Sequence, residues 1–156
     1  MRSMRIRPSV SFRTEKGTSL VEAALITPLL LLLTFAIVDF ASLFYIYLAL
    51  ENGVSQASRY GVTGNLVAGQ SRQESIKTAM RQATPTLTIG DGSFSFSHLR
   101  PGEGTWDAGV GGPNDIDKVT VNYSWTLLTP LVRPFFANGQ INLVVESAMK
   151  NEAEFN

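Results

Sequence analysis

A chain of 156 residues has room for one membrane-spanning helix and one small domain, and excludes two domains with separate cores. With no cysteine and a single histidine, it also excludes a disulfide framework, a thiol nucleophile and a zinc-thiolate centre. Its formal charge is zero but unevenly placed: residues 1–17 carry Arg2, Arg5, Arg7, Arg13 and Lys16 against Glu15, and the remainder has eight cationic side chains against twelve acidic ones.

The leader over residues 1–17 has scattered arginines, Pro8 and no apolar periodicity, which predicts no stable structure. From Gly17 to Leu50 the chain is then almost continuously apolar. As one helix, Leu20 to Leu50 extends roughly 46 Å at about 1.5 Å per residue, more than the ~30 Å hydrocarbon core of a bilayer. A basic arm before such a helix and an acidic remainder after it follow the positive-inside pattern, so the N-terminus is expected in the cytoplasm and the C-terminal part outside. The run is too apolar for a helix of a soluble core, and it outlasts the ~7–15 apolar residues of a cleaved secretory signal.

Three residues interrupt the apolar run. Glu22 lies just inside it, either at the interface in a first turn capped by Thr18 or Ser19, or waiting for a partner. Pro28 lacks a backbone donor and predicts a helix kink or loosened turn. Asp39 costs about 2.5–3.5 kcal/mol near a bilayer centre, so it is expected either among headgroups or facing another helix. Phe44, Tyr45 and Tyr47 follow as an aromatic belt at the outer interface.

Gly17-Thr18-Ser19-Leu20-Val21-Glu22, after a basic leader and before a long apolar helix, resembles the prepilin-peptidase site of type IV pilin-like proteins. More narrowly, the run through Glu22, Pro28, Asp39 and Ala57-Ser58-Arg59-Tyr60 is similar to TadE-like minor pilins, or pseudopilins, of the tight-adherence (Flp-type) pilus system. Ala23 departs from the Tyr or Phe that pilins of this group usually carry after the glutamate. The resemblance implies processing between Gly17 and Thr18, with Glu22 and Asp39 as helix-assembly contacts. A carboxylate at Glu22 is positioned to pair with the new ammonium group of Thr18 on a neighbouring subunit. The implied partners are the membrane, other pilins or minor pilins, the pilus assembly platform and the prepilin peptidase. The implied role is pilus assembly, hence adhesion or associated secretion, from a single-pass position in the inner membrane. The alternative is an uncleaved single-pass envelope protein whose outer domain binds a ligand or partner.

Beyond the membrane the helix is expected to continue to Tyr60, with Val54, Ala57 and Tyr60 on one face and Gly61 and Gly64 ending it. Gln70 to Ala83 predicts a second helix with Gln73, Ile76, Ala79, Met80 and Ala83 inward, Arg72, Glu74, Lys77 and Arg81 largely exposed, and Pro85 as its stop. Alternation predicts strands around Phe94 and Phe96, over Lys118 to Leu127, and over Gln140 to Ala148. The fold class is therefore α+β: a basic leader (1–17), a long transmembrane helix with its extension (18–61), and an extracytoplasmic domain (62–156). That domain holds one further helix and an antiparallel sheet of three to four strands, one face on the second helix.

Thr129 to Phe136, broken by two prolines, is expected to lie as a lid on the core or to touch a neighbour. The glycine-rich stretch between the first two strands offers Asp107, Asn114, Asp115 and Asp117 as oxygen donors. Their spacing does not match a twelve-residue calcium loop, and an exposed flexible loop is the expectation. Trp106 in that stretch is either a contact residue or half-buried, and His98 reads as a strand-end residue. No nucleophile–base set, carboxylate pair, metal motif or basic patch stands out, so we expect no enzyme, no cofactor, no metal and no nucleic-acid partner.

Overall fold

A computed structural model describes residues 13–155, with side chains from Gly17 onward. Residues 1–12 of the expected leader lie outside the described residues, and its last part is helical rather than irregular. The first helix, α1, runs unbroken over Arg13–Val62, 50 residues, or about 75 Å at 1.5 Å per residue. The second, α2, spans Arg72–Ala83. It starts two residues later than expected because Ser71 caps it, its hydroxyl accepting from the Glu74 amide at 3.3 Å. Ser71-Arg72-Gln73-Glu74 has the capping-box spacing, a sequence signal for this start.

Four strands follow: β1 (Phe94–Leu99), β2 (Asp107–Ala108), β3 (Ile116–Thr126) and β4 (Gln140–Lys150). They form one antiparallel sheet in the order β2-β1-β3-β4. Period-two alternation decides its faces, as expected: Val119, Val121 and Trp125 of β3 and Val145 of β4 are buried, while Asn122, Ser124, Asn142 and Glu146 are exposed. β2 is a two-residue strand inside the glycine-rich stretch, which is folded onto the sheet edge rather than loose.

The buried face does not lie chiefly on α2. Both long strands pack against α1, and α2 also packs against α1. The main core joins Leu50, Val54 and Ala57 of α1, Ile76 and Met80 of α2, and Val119, Val121 and Val145 of the sheet. The reason is reach: a helix that continues out of its apolar run presents more inward surface than twelve residues of α2. α2 approaches α1 closely at two glycines. A Cβ on Gly53 would lie 2.5 Å from Thr84 Cγ2, and one on Gly61 2.9 Å from Ile76 Cδ1. Gly61 therefore admits a neighbouring side chain and lies within the helix, which ends one residue later.

Candidate functional site

The lower part of α1 is exposed all round. From Gly17 to Leu31 every residue is exposed, Leu25 by 73%. The span Gly17–Val62 contains an apolar window none of which is buried, the one helix among the described residues long and apolar enough to cross a membrane. Its hydroxyls satisfy themselves: Thr34 donates to the Leu30 carbonyl at 2.8 Å and Ser42 to that of Val38 at 2.9 Å. In hydrocarbon, such back-bonding spares a polar group with no water to meet it.

From Leu32 upward one stripe of the helix turns inward. Leu32, Phe35, Leu43 and Ile46 pack on a second cluster formed by Trp125, Leu127 and Val132. The spacing of three to four residues is the helical period, so one face meets the domain and the rest stays exposed.

Asp39 sits at the centre of this seam, 3% exposed. Its Oδ1 accepts the amides of Leu128 at 2.8 Å and Thr129 at 3.2 Å, where the chain leaves β3. Two backbone donors on one carboxylate oxygen form a charge-assisted clasp across 89 and 90 positions of sequence. Oδ2 is buried with no hydrogen-bond partner. Of the two readings open for Asp39, headgroups or another helix, the structure shows a third partner, the loop of its own chain.

Gly17 and Thr18 lie on the exposed lower helix, well inside its first turns, since the helix already begins at Arg13. Glu22 is exposed on the same segment. Pro28 is exposed within a helix that continues through it, and its missing donor leaves the Ala24 carbonyl without its usual helical partner. Glu22 and Asp39 are thus separate in character: one carboxylate is on the surface of the bare helix, and the other is buried against the domain.

A second clasp closes the opposite end of the domain. Arg72, expected to be exposed, has a side chain only 13% accessible. It donates to the Gly61 carbonyl at 2.8 Å, to Asp117 Oδ2 at 2.9 Å and to the Gly111 carbonyl, and its guanidinium lies 4.2 Å from the Phe155 ring centroid. Burial lowers the Arg72 pKa, opposed by the charges of Asp117 and Asp115. One side chain so joins the end of α1, the start of α2, the glycine-rich stretch, β3 and the C-terminal segment.

The acids weighed as calcium donors serve this construction. Asp117 Oδ1 accepts the Gly111 amide and Asp115 Oδ2 the Gly112 amide, both at 2.7 Å, while Asp107 lies 3.4 Å from Arg100. Among the described residues no group of three or more His, Asp or Glu side chains is arranged to hold a metal ion. His98 is 8% exposed, with Nδ1 3.2 Å from the Gly109 carbonyl. Trp106 is 42% exposed, under the Lys118 ammonium at 4.4 Å.

The constellation therefore holds a helix and a sheet together and presents an apolar rod. No curated protein and no solved structure matches the chain. A family model does: that described as TadE-like protein matches residues 17–59, the bare lower helix, the Asp39 seam and the helix extension up to Arg59. The TadE-like family is pilus-associated and is not an enzyme family. Over residues 17–59, the greater part of the long helix that organises its fold, the chain is similar to TadE-like proteins, consistent with the tight-adherence pilus system.

Proposed function

We propose that this chain is a membrane-anchored, pilin-like subunit that takes part in assembling a tight-adherence pilus and so in adhesion or associated secretion. The observation that carries the proposal is the bare apolar helix coinciding with the family match: Gly17 to Leu31 is exposed all round, and the match begins at Gly17. A helix of this kind in water would expose a continuous apolar surface, whereas lipid or neighbouring helices cover it. In this reading the leader stays cytoplasmic, the domain lies outside the inner membrane, and assembly runs through helix–helix contacts with other pilins or minor pilins and the assembly platform. A prepilin peptidase cuts between Gly17 and Thr18, and exposed Glu22 pairs with the ammonium group thereby created on a neighbour. The chain is a substrate and a building part, not an enzyme, and binds no nucleic acid.

A second reading is favoured by one specific feature. The Gly17–Thr18 bond lies inside a helix that begins at Arg13, so a peptidase must unwind about a turn to reach it. An uncut, permanently anchored subunit, its outer domain binding a partner, needs no such step. Intact mass of the protein from membranes of its own host, beside a Gly17→Ala variant, separates the two. A native mass short by residues 1–17 and full length in the variant supports the processed subunit; full length in both leaves the anchored protein.

A further inference from the structure

We infer that the loop joining β3 to β4, Leu128 to Phe136, is inserted in the outer leaflet of the membrane beside the helix, with lipid acyl chains as its occupant. The inference rests on the reading of α1 as a membrane span, and its first warrant is length. Only Gly17 to Leu31 is exposed at every residue, 15 residues or about 22 Å of helix at 1.5 Å per residue, against a hydrocarbon core of ~30 Å. Glu15 and Lys16 before Gly17 keep the core from starting much earlier. The missing ~8 Å lies where the domain already flanks the helix, so its lowest part shares the depth of the outer leaflet. The lowest part is this loop: Val132 packs in the cluster with Leu32 and Phe35, and Leu131 lines one apolar cleft with Pro28 and Leu31.

The second warrant is the surface that the loop presents. Leu128 and Leu131 are each 57% exposed and Phe135 73%, three large apolar side chains in one short loop, whereas the outer face of the sheet is mostly polar and interrupted by Val144 and Ile116. Exposed leucine and phenylalanine in one short loop are out of place in water but not at the level of acyl chains.

The third is its backbone. Irregular chain at membrane depth is tolerated only where its polar groups find partners within the protein. Here the amides of Leu128 and Thr129 go to Asp39, those of Val132 and Arg133 to the Thr129 carbonyl, and those of Phe135 and Phe136 to the carbonyls of Val132 and Arg133. Pro130 and Pro134 have no donor to satisfy, so of the loop's donors only the Leu131 amide has no acceptor among the described bonds, while the carbonyls of Leu128, Pro130, Leu131, Pro134 and Phe135, which accept none of them, are left for the headgroup level. Arg133 donates its Nε–H to the Leu127 carbonyl at 2.8 Å, lays its stem over Gly139 and is exposed, suited to a headgroup phosphate. Asp39 thus has a reason to be buried at this level: it supplies the acceptor that two amides would otherwise seek from water.

The chain has no cysteine, so single reporters can be placed without background. Full-length Leu131→Cys and Phe135→Cys, each labelled with an environment-sensitive fluorophore, are reconstituted in vesicles of phosphatidylcholine and phosphatidylglycerol. They are titrated with lipids spin-labelled at a shallow and at a deep acyl position, and with aqueous iodide. Leu25→Cys reports the span, and Glu103→Cys reports the opposite end of the sheet. The expected result is quenching of 131 and 135 by spin-labelled lipid to at least half the extent seen at 25, with iodide reaching 103 alone. If 131 and 135 behave like 103 while 25 responds to lipid, the helix spans and the wedge is refuted. Shielding of 131 and 135 from both quenchers refutes it in favour of a protein cover. If 25 itself is not quenched by lipid, the spanning reading falls, and the wedge with it.

Discussion

Replacing Asp39 with alanine should detach the β3–β4 loop from the helix without unfolding the sheet. The carboxylate accepts two amides, the bond from Thr129 being buried and that from Leu128 partly buried. An amide stripped of its partner in a buried site costs about 1–3 kcal/mol, so the two together cost roughly 4, with Thr129 contributing the larger share. Removing a buried charge whose Oδ2 has no partner returns part of that, leaving a net loss of about 3 kcal/mol. Hydrogen exchange followed by mass spectrometry in lipid nanodiscs reads this directly. At about 1.4 kcal/mol per decade, exchange at 128 and 129 should accelerate roughly a hundredfold. Asp39→Asn retains a carbonyl acceptor and should lose only about 1 kcal/mol, the worth of the charge assistance. Glu22→Ala, on the exposed helix, should leave the loop unchanged. Unaltered exchange at 128 and 129 in Asp39→Ala would show that the loop is held by Val132 and Leu127 packing alone, and the clasp argument would be wrong.

Arg72→Ala should be the more damaging change to the domain, costing about 3–5 kcal/mol because Asp117 is left buried without its cation; thermal unfolding in detergent measures it, and Arg72→Lys should recover only part. Gly53→Ala should cost about 1–3 kcal/mol despite alanine's better helix propensity, since the new methyl meets Thr84 Cγ2 at 2.5 Å; Thr84→Ser in the same background should restore some of the loss. Asp91 is held below the usual carboxylate range, first by its hydrogen bond to Arg81 and then by the charges of Arg81 and Lys77. A depressed folded-state pKa stabilises above the ordinary aspartate value of about 3.9 and ceases to do so as pH falls through the lower folded value. Asp91→Asn should therefore lower the melting temperature near neutrality, and the gap to wild type should close on acidification below about pH 4.

Much of this architecture was legible in residue patterns because the determining interactions are local. The apolar run from Gly17 to Leu50 dictates a helix, since no other structure satisfies so long a backbone in apolar surroundings. Period-two alternation at Val119, Val121, Tyr123 and Trp125 dictates a half-buried strand and which of its faces turns inward. The Gly17–Glu22 spacing and the residues after it pointed to the TadE-like family that residues 17–59 match.

Tertiary structure decided what joins segments distant in the chain. Asp39 reads from its neighbours as a charge in need of a partner, but that the partner is the pair of amides at 128 and 129 depends on how β3 aligns with α1. Arg72 has the sequence context of a solvated first-turn cation, and it becomes a buried hub only because Gly61, Gly111, Asp117 and Phe155 converge on it. Gly61 reads as a helix stop because glycine ends helices, whereas here the close approach of Ile76 explains it. Periodicity reports which side of an element is apolar, and the packing of one element on another determines which long-range partner that side meets.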